Sequence, residues 1–410
     1  MKKYWLYIES YTMIFKERQT LLFYNTISGQ NFKICSTPFL LSVIEKLQDI
    51  KNGYCIELSE SELNILEMKE FIQLLRNTFC GDWIAQELTT MRPFSLYPMP
   101  SVMKNRDVLK SNPYLSLGEK LLNFLHVLTI QITGICDLRC DNCLNTYRQT
   151  ISCRYSGNEL EFECIEKILD QISGSDICSI NIIGGDVFHY RNWNKLMLLL
   201  HQYPFLYDLY TDYRHLSCNE AKVEDIQSLN HSIIVIIPPE FDQDILIKAL
   251  QMISNMNFEL IFHVSSEAQF IAADTFRENH KIDNYTFVPV YLKTNLDFFR
   301  DFIFLREESI LASPVSRRTI FTNMKLNSLD FGKLTILSNG DIHANLNFPE
   351  LGNVKTDSIR EMIYRELEQG ESWFRVRVQK PCSDCMYQWL CPPPSYYEIA
   401  TGKPNLCHVK

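Results

Sequence analysis

The sequence predicts an α/β fold in three parts: a small α+β domain, a mostly parallel sheet with covering helices, and a small cysteine-rich domain. Three observations predict it. Strand-like apolar runs recur over 127–133, 179–183, 205–210, 232–237, 258–264 and 285–291, and helical periodicity fills 159–172, 192–202, 242–255 and 267–279 between them. Alternation of this kind builds right-handed βαβ units and hence a parallel sheet. Ahead of it, residues 1–90 hold short strands followed by amphipathic helices, and behind it residues 332–410 hold four cysteines in one set.

Within 1–90, residues 5–8, 21–24 and 32–35 read as strands, with Asn25-Thr26-Ile27-Ser28-Gly29 turning between the last two. Ser36-Thr37-Pro38 starts a helix with the stripe Phe39, Val43, Ile44 and Leu47. Ser59-Glu60-Ser61-Glu62 has the capping-box form and opens a second helix through Leu66, Phe71 and Leu75. Three strands leave a sheet edge that can take an extended peptide as an added strand, and a plain structural extension is the alternative. Residues 91–123, with Pro93, Pro98, Pro100 and Pro113, read as a linker.

Immediately after the first strand of the parallel region come Cys136, Cys140 and Cys143 in C-x3-C-x2-C spacing. Three thiolates this close on one loop can hold three irons of a four-iron cluster and leave the fourth open. The loop lies at the C-terminal end of its strand, where parallel α/β folds place their active sites. Gly184-Gly185-Asp186 follows the second strand: two glycines admit close backbone approach and the carboxylate is suited to an amine. Further on, after a bridge over 301–331, residues 334–343 read as a hairpin around Asn339-Gly340 and a helix is expected over 357–368. Cys382, Cys385, Cys391 and Cys407 close the chain as C-x2-C-x5-C-x15-C, a spacing that suits structural zinc and an iron–sulfur cluster equally.

Composition narrows the function. Hydrophobic content of 46% is that of a folded chain, and a net charge of −9 argues against nucleic-acid binding. No apolar run reaches transmembrane length, and Lys2 and Lys3 are followed by only a short apolar run before Glu9, so a cytoplasmic protein with reduced thiols and no membrane partner is expected. The scattered Cys35, Cys55, Cys80, Cys153, Cys164, Cys178 and Cys218 read mostly as small buried side chains, His189 as a surface histidine, and 375–380 as a solvated basic strip.

The loop and the Gly-Gly-Asp turn resemble the radical S-adenosylmethionine (radical SAM) enzymes, which carry CxxxCxxC after the first strand and usually Gly-Gly-Glu after the second. That resemblance implies a partial (β/α)6 parallel barrel, a [4Fe–4S] cluster on Cys136, Cys140 and Cys143, and S-adenosylmethionine contacting Gly184, Gly185 and Asp186. Asn142 stands where relatives place an aromatic residue on the adenine, and Asp186 is one carbon shorter than the usual glutamate. The C-terminal segment is similar to the SPASM domain of peptide-modifying members. It lacks cysteine at Asn345 and Ser395, so the pattern implies one auxiliary [4Fe–4S] cluster on Cys382, Cys385, Cys391 and Cys407. Residues 1–90 are similar to leader-recognition domains. The implied partners are a ribosomally made precursor peptide and an electron donor. Two activities follow from the resemblance: hydrogen abstraction from that peptide by a 5′-deoxyadenosyl radical, or, as in degenerate pseudo-radical SAM proteins, presentation of the peptide to a second maturase.

Overall fold

The computed structural model describes residues 2–89, 91–95, 121–138, 140, 143, 146–227, 229 and 231–409. Its first part is built from two separate three-stranded antiparallel sheets. In one, β1 (Lys3–Ile8) lies between β5 (Cys55–Ser59) and β6 (Gly81–Ala85); in the other, β2 (Thr12–Glu17), β3 (Thr20–Asn25) and β4 (Asn31–Cys35) form a meander. The sequence reading gives three of these six strands. β2 escapes it because its turn to β3 places Arg18 at φ +53°, with no Gly or Asn to mark a hairpin. The helix expected from Ser59 is two helices, Glu60–Leu63 and Leu66–Asn77. Between them the Asn64 amide donates to the Glu60 carbonyl at 2.9 Å and Ile65 turns extended, so the first ends after one turn.

β3 is buried on both faces. Leu21 and Phe23 enter a core with Phe32, Leu40, Leu47 and Phe71, while Leu22 and Tyr24 face the other way, with Met13 and Phe15, onto Ile310, Ile320, Met386, Tyr387 and Leu390. The meander is thus mounted on the cysteine-rich part of the chain. Polar contacts fix the seat: Val315 N–H donates to the Tyr24 hydroxyl at 2.7 Å, Lys33 meets Glu307 at 2.6 Å, and Met386 N–H donates to Glu17 at 3.1 Å.

The large sheet has nine strands in the order β12-β11-β10-β9-β8-β7-β13-β14-β15. β7 (Val127–Thr133), β8 (Ser179–Gly184), β9 (Tyr207–Asp212), β10 (His231–Ile237), β11 (Phe258–Val264) and β12 (Tyr285–Pro289) are parallel throughout. Helices Phe162–Ile172, Trp193–Leu200, Gln243–Met252 and Glu267–Asn279 cross between them, and two unforeseen helices, Tyr213–Leu216 and Glu220–Ile226, follow β9. β13 (Lys333–Ile336) adds in parallel beside β7, and β14 (Asp341–His343) and β15 (Gly352–Asn353) return antiparallel. The hairpin therefore extends the parallel sheet. Its turn is the expected Asn-Gly, with Gly340 at φ +94°.

Alternation along β7 separates the sheet's faces. Leu128, Ile130 and Ile132 enter the core under the helices, while Thr129 and Gln131 line a cavity of about 430 Å3 with Asn181, Asp208, Arg148, Arg154 and Lys333. Among the described residues no helix is long and apolar enough to cross a membrane.

Candidate metal centre

The cysteine loop leaves β7 and rests on the end of β8. Gly185 N–H donates to the Thr133 carbonyl at 2.8 Å and Asp186 N–H to the Ile135 carbonyl at 2.7 Å. A Cβ at Gly185 would lie 2.4 Å from the Ile135 oxygen and 2.8 Å from Cys136 Cβ. The first evident task of the Gly-Gly-Asp turn is thus to seat Cys136. Asp186 is buried: one carboxylate oxygen accepts Phe188 N–H at 3.0 Å and the other meets His189 Nδ1 at 2.5 Å. His189 is on the surface as expected, but it is also the partner of this carboxylate.

The end of β9 supplies the opposite wall. Arg214 Nη2 donates to Cys140 Sγ at 3.1 Å, and the same guanidinium is clasped by Asp212 at 2.7 and 2.8 Å. His215 Nε2 lies 3.4 Å from Cys136 Sγ, while its buried Nδ1 has no hydrogen-bond partner among the described residues. Burial holds this imidazole below the usual histidine range. A fourth thiol is present: Cys153 Sγ lies 3.2 Å from Cys143 Sγ. The Cys140 thiol is pushed well up by its hydrogen bond to Cys143 and by burial, against the pull of Arg214. For Cys143, the bond from Cys140 works downward, and contact with Cys153 and burial outweigh it. Neutral thiols crowded around one cation are a donor set that iron would ionise on binding. These residues fit a cluster. Asn142 lies outside the described residues.

Sequence reasoning misses Arg214, His215 and Cys153 as neighbours of the loop. The first two come from the next strand but one, and Cys153 carries no spacing signal. Cys55, Cys80 and Cys164 are buried as expected of scattered cysteines, whereas Cys35, Cys178 and Cys218 are exposed.

Cys382, Cys385, Cys391 and Cys407 line one small pocket with Leu305, Leu406 and Arg377. Cys407 is brought there by a bridge of the C-terminal tail to Leu305, with Leu305 N–H on Leu406 at 3.0 Å and His408 N–H on Leu305 at 2.9 Å. Burial pushes the Cys391 thiol up to about 12 although Arg377 opposes it. Among the described residues no group of three or more His, Cys, Asp or Glu side chains stands close enough to hold a single metal ion.

The 375–380 strip is solvated only over 378–380. Arg377 is buried and paired with Glu398 at 2.9 Å, and Arg375 lies 3.6 Å from the buried Asp330. Asn345 donates to both Asp330 oxygens at 3.2 Å, and Ser395 caps the helix Tyr396–Thr401. Where the resembled domain has further cysteines, this chain has a buried polar network.

Comparison with known proteins agrees with this picture in outline. Residues 127–261 match the family described as 4Fe-4S single cluster domain. No curated protein matches the chain. The crystal structure of Streptococcus suis SuiB shares the fold, at a TM-score of 0.50 and 14% identity over 98% of this chain and 98% of that one. A second SuiB structure, bound to S-adenosylmethionine, aligns at 0.44 and 14% identity over 98% and 99%. The family match places a 4Fe–4S-type domain over residues 127–261, and the likeness to SuiB shows a shared mixed α/β fold around a large parallel-rich sheet.

Proposed function

We propose that the chain is a radical SAM/SPASM-type iron–sulfur enzyme that abstracts hydrogen from a ribosomally made peptide. One observation carries this reading: the C-x3-C-x2-C loop, the Gly-Gly-Asp turn and the Arg214 cation meet at the C-terminal ends of β7, β8 and β9. Cys136, Cys140 and Cys143 would hold a [4Fe–4S] cluster, with Asn142, Gly184, Gly185 and Asp186 facing S-adenosylmethionine in a partial (β/α)6 barrel. Such a cluster, once reduced, supplies the electron that cleaves S-adenosylmethionine to a 5′-deoxyadenosyl radical.

The chain's own residues do the positioning. Gly185 admits the turn against Cys136, and Arg214 balances thiolate charge at Cys140. An amine at Asp186 would share its carboxylate with Phe188 N–H and His189. The cavity beside Gln131 and Asn181 offers Arg148, Arg154, Lys333 and Asp208 to a polar substrate segment, and desolvation holds the Asp208 carboxyl above its ordinary value. Cys382, Cys385, Cys391 and Cys407 would hold an auxiliary [4Fe–4S] cluster with no open iron, for structure or electron transfer. Residues 1–90 would bind the peptide leader, in the cytoplasm and with a separate electron donor.

The test is anaerobic reconstitution, reduction and addition of S-adenosylmethionine to wild type and Cys140→Ala. The reading requires 5′-deoxyadenosine from wild type and none from the variant. None from a fully loaded wild type favours the second reading, a non-catalytic partner that presents the peptide to another maturase. The engagement of both Asp186 oxygens by Phe188 and His189 favours that alternative, which then requires co-purification with such a maturase.

A further inference from the structure

Cys153 is set against the metal centre by dedicated architecture. The segment carrying it returns over the cysteine loop and is tied down on both sides. Arg154 N–H donates to the Gly184 carbonyl at 3.3 Å, and the Gln131 amide donates to the Arg154 carbonyl at 2.8 Å. Ser156 N–H donates to the Gly134 carbonyl at 3.0 Å, and Ser156 Oγ meets Ser338 Oγ at 2.8 Å. A Cβ at Gly134 would lie 1.9 Å from Ser156 Oγ, so the loop carries glycine where this segment crosses it. The result is a buried sulfur 3.2 Å from Cys143, which is itself hydrogen-bonded to the Cys140 thiol. Across the centre, His215 presents Nε2 to Cys136 Sγ at 3.4 Å. An ordinary core cysteine packs among carbon atoms; this one packs on a thiol of the C-x3-C-x2-C loop.

We propose that Cys153 is a fourth protein ligand of the centre, its thiolate closing the iron that Cys136, Cys140 and Cys143 leave open when S-adenosylmethionine is absent. The inference rests on the reading that these three cysteines hold a four-iron cluster. Ligation releases the thiol proton to solvent. The amino and carboxylate groups of S-adenosylmethionine displace the sulfur, which takes a proton back, and no electron moves in the exchange. The resting centre is thereby shielded, and cofactor binding competes with an internal ligand.

Wild type, Cys153→Ala and Cys164→Ala are reconstituted anaerobically, the last as a control for loss of a buried thiol elsewhere. Iron and sulfide analysis beside Cys143→Ala comes first. A wild type whose iron matches Cys143→Ala refutes the cluster reading itself, and so keeps the two failures apart. Mild oxidation then reads the open iron, since an iron without a protein ligand is lost and leaves a [3Fe–4S] signal in electron paramagnetic resonance. Cys153→Ala should give several-fold more of that signal than wild type and the control. S-adenosylmethionine should also shift its reduced-cluster spectrum at several-fold lower concentration. Equal signals in wild type and Cys153→Ala overturn the proposal, as does a Cys143–Cys153 disulfide in the loaded protein. If Cys153→Ala does not fold, wild type alone decides: ready conversion to [3Fe–4S] means that its fourth iron is open.

Discussion

Arg214 donates to Cys140 Sγ across 3.1 Å from a strand end 74 residues away, and Asp212 holds the guanidinium in that pose. The guanidinium end of this pair, partly offset by the Asp212 carboxylate behind it, faces the sulfur of the proposed cluster, which carries net negative charge on its thiolates. Arg214→Gln should therefore make the cluster harder to reduce. The midpoint potential is expected to move negative by tens of millivolts, about 60 mV for each tenfold change in a one-electron equilibrium. A redox titration followed by electron paramagnetic resonance measures it; an unchanged or more positive midpoint removes Arg214 from the electrostatics of the centre.

Gly185 gives a steric test of the same site. A methyl group there meets backbone on one side and Cys136 Cβ on the other, neither of which is a flexible side-chain end. Gly185→Ala should cost about 1–3 kcal/mol, the usual range for overpacking, and lower iron content. Gly174→Ala, where a Cβ would meet nothing within 4 Å, is the matched control. Equal thermal midpoints and iron per chain for the two variants would show that the turn does not brace the loop.

How far the sequence carried depends on burial. Strands such as β10, whose Ile233–Ile237 stretch is wholly buried, read as continuous apolar runs and were legible. β9 was misplaced by two residues because it begins after Phe205 and ends on Thr211 and Asp212, polar but buried. The loop cysteines were legible because chemistry demands close spacing. Arg214 and His215 were not, since they reach the loop only through the pairing of β7 with β8 and β8 with β9, and Cys153 was not, since it returns on a segment held by Gly134 and Gly184. The seat of β2 and β3 on Met386 and Tyr387 was equally hidden: a strand buried on both faces shows the same pattern whichever partner covers it.

His263, on β11, carries a pH prediction. Burial lowers it from 6.5 to about 4, against the pull of Asp212. Below pH 6.5 the unfolded chain takes up a proton that the folded protein refuses, so this contribution to stability is whole above 6.5 and is lost as pH falls toward 4. At pH 5 the loss should be about 2 kcal/mol relative to pH 7. Urea midpoints at the two pH values measure it in wild type and His263→Leu. The variant should lose less on acidification by about that amount; equal losses would mean that His263 titrates normally in the fold.

The cysteine-rich module and the sheet of β2 and β3 share one core, so emptying the first should loosen the second. Met386 and Tyr387 follow Cys385 directly and pack against Met13, Phe15, Leu22 and Tyr24. Tyr24 also accepts the Val315 N–H, and leaving that partly buried donor unmet costs about 1–3 kcal/mol. If Cys382, Cys385, Cys391 and Cys407 hold the proposed auxiliary cluster, its loss frees the loop that presents Met386 and Tyr387. In Cys391→Ser, or after chelation under oxidising conditions, the N-terminal part should be released first. Limited proteolysis should then cut within residues 2–89 faster than in wild type, and Tyr24→Phe should show a milder form of the same change with its iron content unchanged. Unchanged cleavage in Cys391→Ser would mean that the docking holds without the metal, leaving the apolar contacts of β2 and β3 to hold it alone.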